Sequence, residues 1–334
     1  MLILSDKNVQ EILYGLSRKE WAHLLQIFSQ FMTEYSAEPS KVFQPSRARI
    51  TTSLGHNSLF MPASNTLVTG IKSMTIPGDG SSINGSVSIC KPTGELEGLL
   101  NARELTAFRT SLAANIIFSR RMWDGAENIV IFGAGKQAEW HLRIALLIGP
   151  AAGTIGKVTI VNRSQSALDK FEQGVFADLR PKYPTVVFES IVKTGNPGHE
   201  EQIKSALQDA AVVFACTPSV EPLFPYSYLQ NSEKKKFSEV DKATILSGKL
   251  LCVDSKEECM VEAGELIMGN VSQESLTEIG ALLPLDDDDE RVQILKHENV
   301  VFKCVGMGIM DVAIGTGVLE LAKKKHIGVE LSDF

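Results

Sequence analysis

Residues 133–138 read Gly-Ala-Gly-Lys-Gln-Ala, a G-x-G-x-x-A run that follows the apolar stretch NIVIF and opens a helical pattern. Strand, glycine turn and helix in that order are the setting in which this short pattern binds a dinucleotide. Gly133 permits the tight turn, Gly135 lets a pyrophosphate approach the backbone with no Cβ in the way, and Ala138 keeps the helix close to the sheet. Lys136 and Gln137 lie at the helix N-terminus, where unpaired N–H groups and the helix dipole favour a phosphate. The bland alternative is a glycine turn that only packs. The next apolar run, KVTIV, ends in Asn162-Arg163-Ser164. An acid there would hold the ribose 2′-hydroxyl of NAD and repel the 2′-phosphate of NADP; none is present, and the Arg163 guanidinium suits a phosphate, although a solvated arginine at a helix start reads the same way. The expected cofactor is therefore NADP(H), with NAD(H) as the second choice.

Parallel βαβ units position such a turn. After residue 126 short apolar strands alternate with helical stretches: NIVIF, the GAGKQAEWH helix, KVTIV, a helical SQSALDKFEQGVFADL, TVVFE and AVVFACT, then LLCVD and NVVFKCVG as later strands. Thr217 and Pro218 follow AVVFAC at the carboxyl end of a strand, where open α/β sheets place ligands. The first hundred residues have another texture. A strand at Leu2 to Leu4 precedes a helix capped by Ser5 or Asp6, and a second helix runs from Arg18 to Tyr35. From Pro39 to Leu100 short runs broken by Gly, Pro and Asn predict an antiparallel sheet or partial barrel. From Asn101 to about Trp123 the pattern is helical, with Leu105, Phe108, Leu112, Ile116 and Ile117 on one face, and bridges the two regions. Gly308 to Lys324 reads as a closing helix, and SKEE after LLCVD as the start of an outer one.

At 334 residues the chain is one large α/β unit or two domains. A hydrophobic share of 44% beside 22% charged residues supplies a sizeable core. A net charge of -7 excludes a nucleic-acid surface and leaves a small molecule as the partner. Cys90, Cys216, Cys252, Cys259 and Cys304 form no C-x-x-C pair, as in a reducing compartment. No run of 18 apolar residues is present for a membrane span, and MLILSDKNVQ is too polar for a signal peptide, so a cytoplasmic protein is expected. Asp286 to Asp289 form a self-repelling run that reads as a solvated loop, and no metal is expected.

Several segments together resemble the ornithine cyclodeaminase and mu-crystallin family: QPSRARI, SLFMPAS, TGIKSMT, KPTGELEGLLNARELTAFRTSLAA, the GAGKQAEWH turn, ACTPS and KCVGMGIMD, in order along nearly the whole chain. The resemblance implies an α/β homodimer: residues 1–118 with 307–334 as an α+β substrate-binding and dimerisation domain completed by the C-terminal helix, and residues 119–306 as the Rossmann domain. It also implies a substrate-carboxylate clamp of Arg47, Lys72 and Arg109, with Met61 lining the pocket. Lys72 and Arg109 are the catalytic candidates. Bidentate arginines and a buried lysine suit a carboxylate in a partly dry cleft, and an arginine on an apolar helical face needs a partner; surface cations or structural ion pairs are the alternative. Thr217 would lie near the cofactor, and Val305, Gly306 and Met307 would approach the nicotinamide. Asp311 matches an acid common in the family, and equally reads as a helix N-terminal residue.

One segment departs from the family. After ACTPS, the strand and loop in which cyclodeaminases carry their catalytic aspartate are not visible; Leu223 to Lys249 reads LFPYSYLQNSEKKKFSEVDKATILSGK, with a segment apparently missing between about Gln230 and Phe237. Lys234 to Lys236 read as a solvated turn. Cyclodeamination moves several protons and needs such an acid. Reduction of a cyclic ketimine carboxylate needs carboxylate docking and a well-placed hydride donor. The leading expectation is thus NADPH-dependent reduction of a pyrroline-2-carboxylate or piperideine-2-carboxylate type substrate. An amino-acid dehydrogenase or cyclodeaminase, and a protein that binds NADPH without turnover, remain the alternatives.

Overall fold

The computed structural model describes residues 1–38, 40–121, 127–148, 155–219, 221–229, 236–237 and 242–332. In chain order it opens with β1 (Leu2–Leu4), α1 (Asp6–Tyr14), α2 (Arg18–Ala37), β2 (Ala48–Thr51), β3 (Asn57–Ser64), β4 (Thr69–Ile76), β5 (Asn84–Cys90), β6 (Leu96–Asn101) and α3 (Ala102–Ser119). There follow β7 (Glu127–Phe132), α4 (Lys136–Ile148), β8 (Ile155–Asn162), α5 (Gln165–Phe171), β9 (Val187–Val192), α6 (His199–Gln208) and β10 (Ala210–Ala215). Last come β11 (Lys236–Phe237), β12 (Leu250–Val253), β13 (Leu276–Glu278), β14 (Val300–Lys303), α7 (Gly308–Lys325) and β15 (Val329–Glu330), with shorter helical turns between. The chain forms two compact units: Met1–Arg109 with Ile279–Pro284 and Gly306–Phe334, and Thr110–Glu278 with Leu285–Val305.

The first unit is a sheet in the order β15-β1-β6-β5-β4-β3-β2. Ser5 and Ser17 start α1 and α2 through capping boxes with Asn8 and Glu20, which satisfy donors that the first helical turn leaves unpaired. The two-residue period of β3 buries Leu59, Met61 and Ala63 and turns Phe60 and Pro62 to the other face. Because Met61 pairs with Lys72 across the antiparallel β3–β4 ladder, both side chains lie on the buried face. Along that face runs α7, buried from Gly308 through Gly315.

In the second unit β10-β7-β8-β9 form a parallel sheet. Strands β7, β8 and β10 are apolar on both faces because helices cover both, whereas the edge strand β9 is largely exposed. Ile129, Ile131, Val158 and Ile160 pack against Leu142 and Leu168, while Val130, Phe132, Val161 and Val213 pack with Ile203, Leu207 and Phe224. The helix read over SQSALDKFEQGVFADL is α5 continued by a π turn at Glu172–Phe176 and a last turn at Ala177–Leu179.

A second parallel sheet, β11-β14-β12-β13, follows instead of a continuation of the first. The join falls at β11, which contacts β10 but pairs with β14 through Lys236↔Val300 and Phe237↔Val301. That ladder is the one β11 forms among the described residues. Lys236 therefore belongs to a strand and not to the solvated turn expected of it; Lys234, Lys235 and the suspected gap from Gln230 onward lie outside the described residues, as does Trp123. Asp286, Asp287 and Asp288 are exposed, and Asp289 caps the Glu290–His297 helix by accepting from the Arg291 amide. Among the described residues no helix is long and apolar enough to cross a membrane.

Candidate active site

The glycine turn lies at the carboxyl end of β7. Gly133 has φ +107°, a left-handed conformation, and a Cβ there would meet the Cys216 carbonyl oxygen at 2.6 Å, so glycine is required twice over. The turn is tied to both neighbouring strands: the Gly133 amide donates to the Val161 carbonyl at 2.8 Å, and the Cys216 amide to the Phe132 carbonyl at 2.8 Å. Gly135 has open space where a Cβ would be. That opening, at the start of α4 with Lys136 and Gln137 in its first turn and Ala138 buried, is a cradle that fits a pyrophosphate. Thr217 stands beside Gly133, its Cγ2 within 3.4 Å of where a Cβ would be. At the end of β8, Asn162 is half-buried and Arg163 and Ser164 are exposed.

His141, on α4, was not read as a site residue. Its buried ring accepts or donates at one nitrogen: Nδ1 lies 2.7 Å from the Gln137 carbonyl oxygen, 2.9 Å from Ser111 Oγ and 3.6 Å from Cys216 Sγ. Burial holds its pKa down, to about 4, so the ring is neutral at pH 7 and fastens α4 to the strand end that carries Cys216 and Thr217. Asp254 also went unread. Fully buried after β12, its Oδ1 accepts from the Val305 amide at 3.2 Å and its Oδ2 from the Cys304 thiol at 3.2 Å, which fixes the backbone at Val305. The signal in the sequence was an acid closing the apolar run LLCV.

In the first unit the clamp residues come together. Arg109 lies on α3, Lys72 on β4, Met61 beside it on β3, and Arg47 just before β2. Asp311, in the first turn of α7 and fully buried, joins them: Lys72 Nζ is 3.0 Å and Arg109 Nε 3.3 Å from its Oδ1. Asp311 is thus a first-turn acid of α7 that also pairs with Lys72 and Arg109. Its Oδ2 is buried and accepts no hydrogen bond among the described residues. Arg47 donates to the Gly306 carbonyl at 2.8 Å, and a Cβ on Gly306 would meet the Arg109 guanidinium at 2.5 Å. The backbone at Gly306, with φ +83°, is therefore the point on which both arginines converge. Met307, the residue before α7, is buried, and Met310 Sδ lies 3.8 Å from an Arg109 nitrogen. Lys72 is almost wholly buried; burial drives its pKa down to about 8, Arg109 and Arg47 push the same way, and Asp311 opposes them.

A Rossmann-type α/β unit and an antiparallel sheet unit carrying buried cations are the parts of a known architecture. No protein-family model matches the chain. The Delta(1)-pyrroline-2-carboxylate reductase of Thermococcus litoralis, solved with NADH and L-proline, superposes with a TM-score of 0.77 at 19% identity, covering 99% of this chain and 100% of that one. An uncharacterised protein of Saccharomyces cerevisiae is 26% identical over 310 residues, 80% of this chain and 81% of its own. A Delta(1)-pyrroline-2-carboxylate reductase of Bacillus cereus is 24% identical over 98% of both chains. Other relatives are named cyclodeaminase, iminosuccinate reductase and ketimine reductase mu-crystallin. The chain is a homologue of these proteins and has the fold of the ornithine cyclodeaminase and mu-crystallin structures, as the sequence resemblance implied.

Proposed function

We propose that this protein reduces a small cyclic ketimine carboxylate, of the pyrroline-2-carboxylate or piperideine-2-carboxylate type, with NADPH as the preferred donor. The observation that carries the reading is the buried cluster in which Lys72, Arg109 and Asp311 meet within 3.3 Å, with Arg47 tied to the same Gly306 that packs on Arg109. Arg47 and Arg109 are suited to take a substrate carboxylate, because planar guanidiniums form paired, charge-assisted hydrogen bonds with it. Asp311 keeps Lys72 and Arg109 in place by accepting from both. Lys72, with its pKa lowered to about 8, can supply the proton that an imine nitrogen takes as its carbon is reduced. A nicotinamide cofactor whose pyrophosphate is held at the glycine turn would supply the hydride. The relatives that are reductases of C=N bonds, and solved neighbours that hold NADH or NAD+, support imine reduction with a nicotinamide. Preference for NADPH rests on Asn162-Arg163-Ser164, a strand end with no carboxylate.

The exposed side of the first unit's sheet supports a homodimer. Ile50 and Ile71 are exposed on the face that Phe60 and Pro62 share, and one structural neighbour is an archaeal alanine dehydrogenase dimer.

The test is NADPH oxidation by the purified protein with each imino acid, beside Arg109→Ala. Wild-type turnover and a loss of about 100-fold or more in kcat/KM for the variant are expected, the scale of losing one member of a buried charged pair. Tight NADPH binding with no turnover on either substrate would instead favour a binding protein.

A further inference from the structure

We infer that Lys193 is a second determinant of cofactor choice and, together with Arg163, seats the 2′-phosphate of NADP(H); this rests on the NADPH preference proposed above. The backbone brings the two residues side by side. β8 and β9 pair in parallel up to Asn162↔Val192, and the contact continues past the strand ends: the Lys193 amide donates to the Asn162 carbonyl at 2.9 Å and the Thr194 amide to the Arg163 carbonyl at 3.2 Å. Arg163 and Lys193 thus leave the sheet from neighbouring positions at its carboxyl edge, the edge that also carries the glycine turn.

Neither side chain has a partner among the described residues. Two cations that the backbone holds side by side, with no carboxylate paired to either, are placed to take up an anion from outside. The charge count is specific. A phosphate monoester carries between one and two negative charges near pH 7, more than one guanidinium neutralises, and a second cation is needed to balance it. The exposed hydroxyls of Ser164 and Ser166, 2.8 Å apart, add donors at the same strand end. Lys193 also borders a cavity of about 360 Å³ that Glu200, Phe224, Pro225 and Tyr228 help to line.

The experiment is direct titration of NADPH and NADH into the wild type, Lys193→Ala, Lys193→Arg and Arg163→Ala, read by nicotinamide fluorescence. Lys193→Ala is expected to weaken NADPH about 10-fold and NADH less than about 2-fold, with Lys193→Arg close to the wild type. A wild type that binds both cofactors equally would refute the NADPH preference and this inference with it. A wild type that prefers NADPH, with the preference lost in Arg163→Ala but kept in Lys193→Ala, would overturn the role of Lys193 alone. Equal weakening of both cofactors by Lys193→Ala would make the lysine a structural residue and likewise overturn it.

Discussion

His141 is neutral because its surroundings exclude water, and that neutrality makes the fold sensitive to acid. In the folded chain its pKa is about 4, held down first by burial, against an ordinary value near 6.5. The sign follows from proton counting: between those values the unfolded chain binds a proton that the folded chain does not, so the stability present above pH 6.5 is lost as pH falls through 4. Urea titrations between pH 7 and 4 should show this loss in the wild type and a smaller pH slope in His141→Asn; equal slopes would show that other groups set the acid sensitivity. What could be read at single positions follows the reach of the chemistry. Gly133 and Gly135 act through the local backbone, so type and spacing declared them. Asp254 acts on Val305, 51 positions away, and Asp311 on Lys72, 239 positions away. Nothing in the local pattern of either acid names its partner.

At the level of elements, the βαβ rhythm was legible because parallel strands covered on both faces are nearly continuous apolar runs, and each falls where NIVIF, KVTIV, TVVFE and AVVFACT were read. The α6 helix was not read, although Ile203 and Leu207 carry its buried face at a helical spacing of four. β11 was hidden by its length and by the lysines before it. Among the described residues its consequence is a break in the sheet, with β10 at the end of one four-stranded sheet and β11 at the start of the next. Bonded along one edge among the described residues, β11 opens at low cost. Hydrogen exchange should therefore find the amides of Lys236 and Phe237 exchanging at least about 10-fold faster than those of Val158 to Val161 in β8, which has partners on both sides. Similar protection in the two strands would contradict the break.

For the whole molecule, the resemblance of ordered segments was the guide to the fold, which the solved neighbours share. An apolar patch left on the outer face of the first sheet is the feature that a single chain does not explain. Sedimentation should give a dimer, and Ile71→Asp combined with Ile50→Asp should shift it to monomer while each chain stays folded; a wild-type monomer at micromolar concentration would remove the dimer from the account.

The proposed function requires that hydride pass from the nicotinamide to the imine carbon of a substrate held by Arg47 and Arg109. Its most direct test is a single turnover with NADPH carrying deuterium at both C4 positions of the nicotinamide, with pyrroline-2-carboxylate or piperideine-2-carboxylate, followed by mass spectrometry of the product. One deuterium on the α-carbon of the cyclic amino acid, formed by the wild type and not by Arg109→Ala, is the predicted result. Product without deuterium, or labelled product formed equally well by the variant, would contradict it.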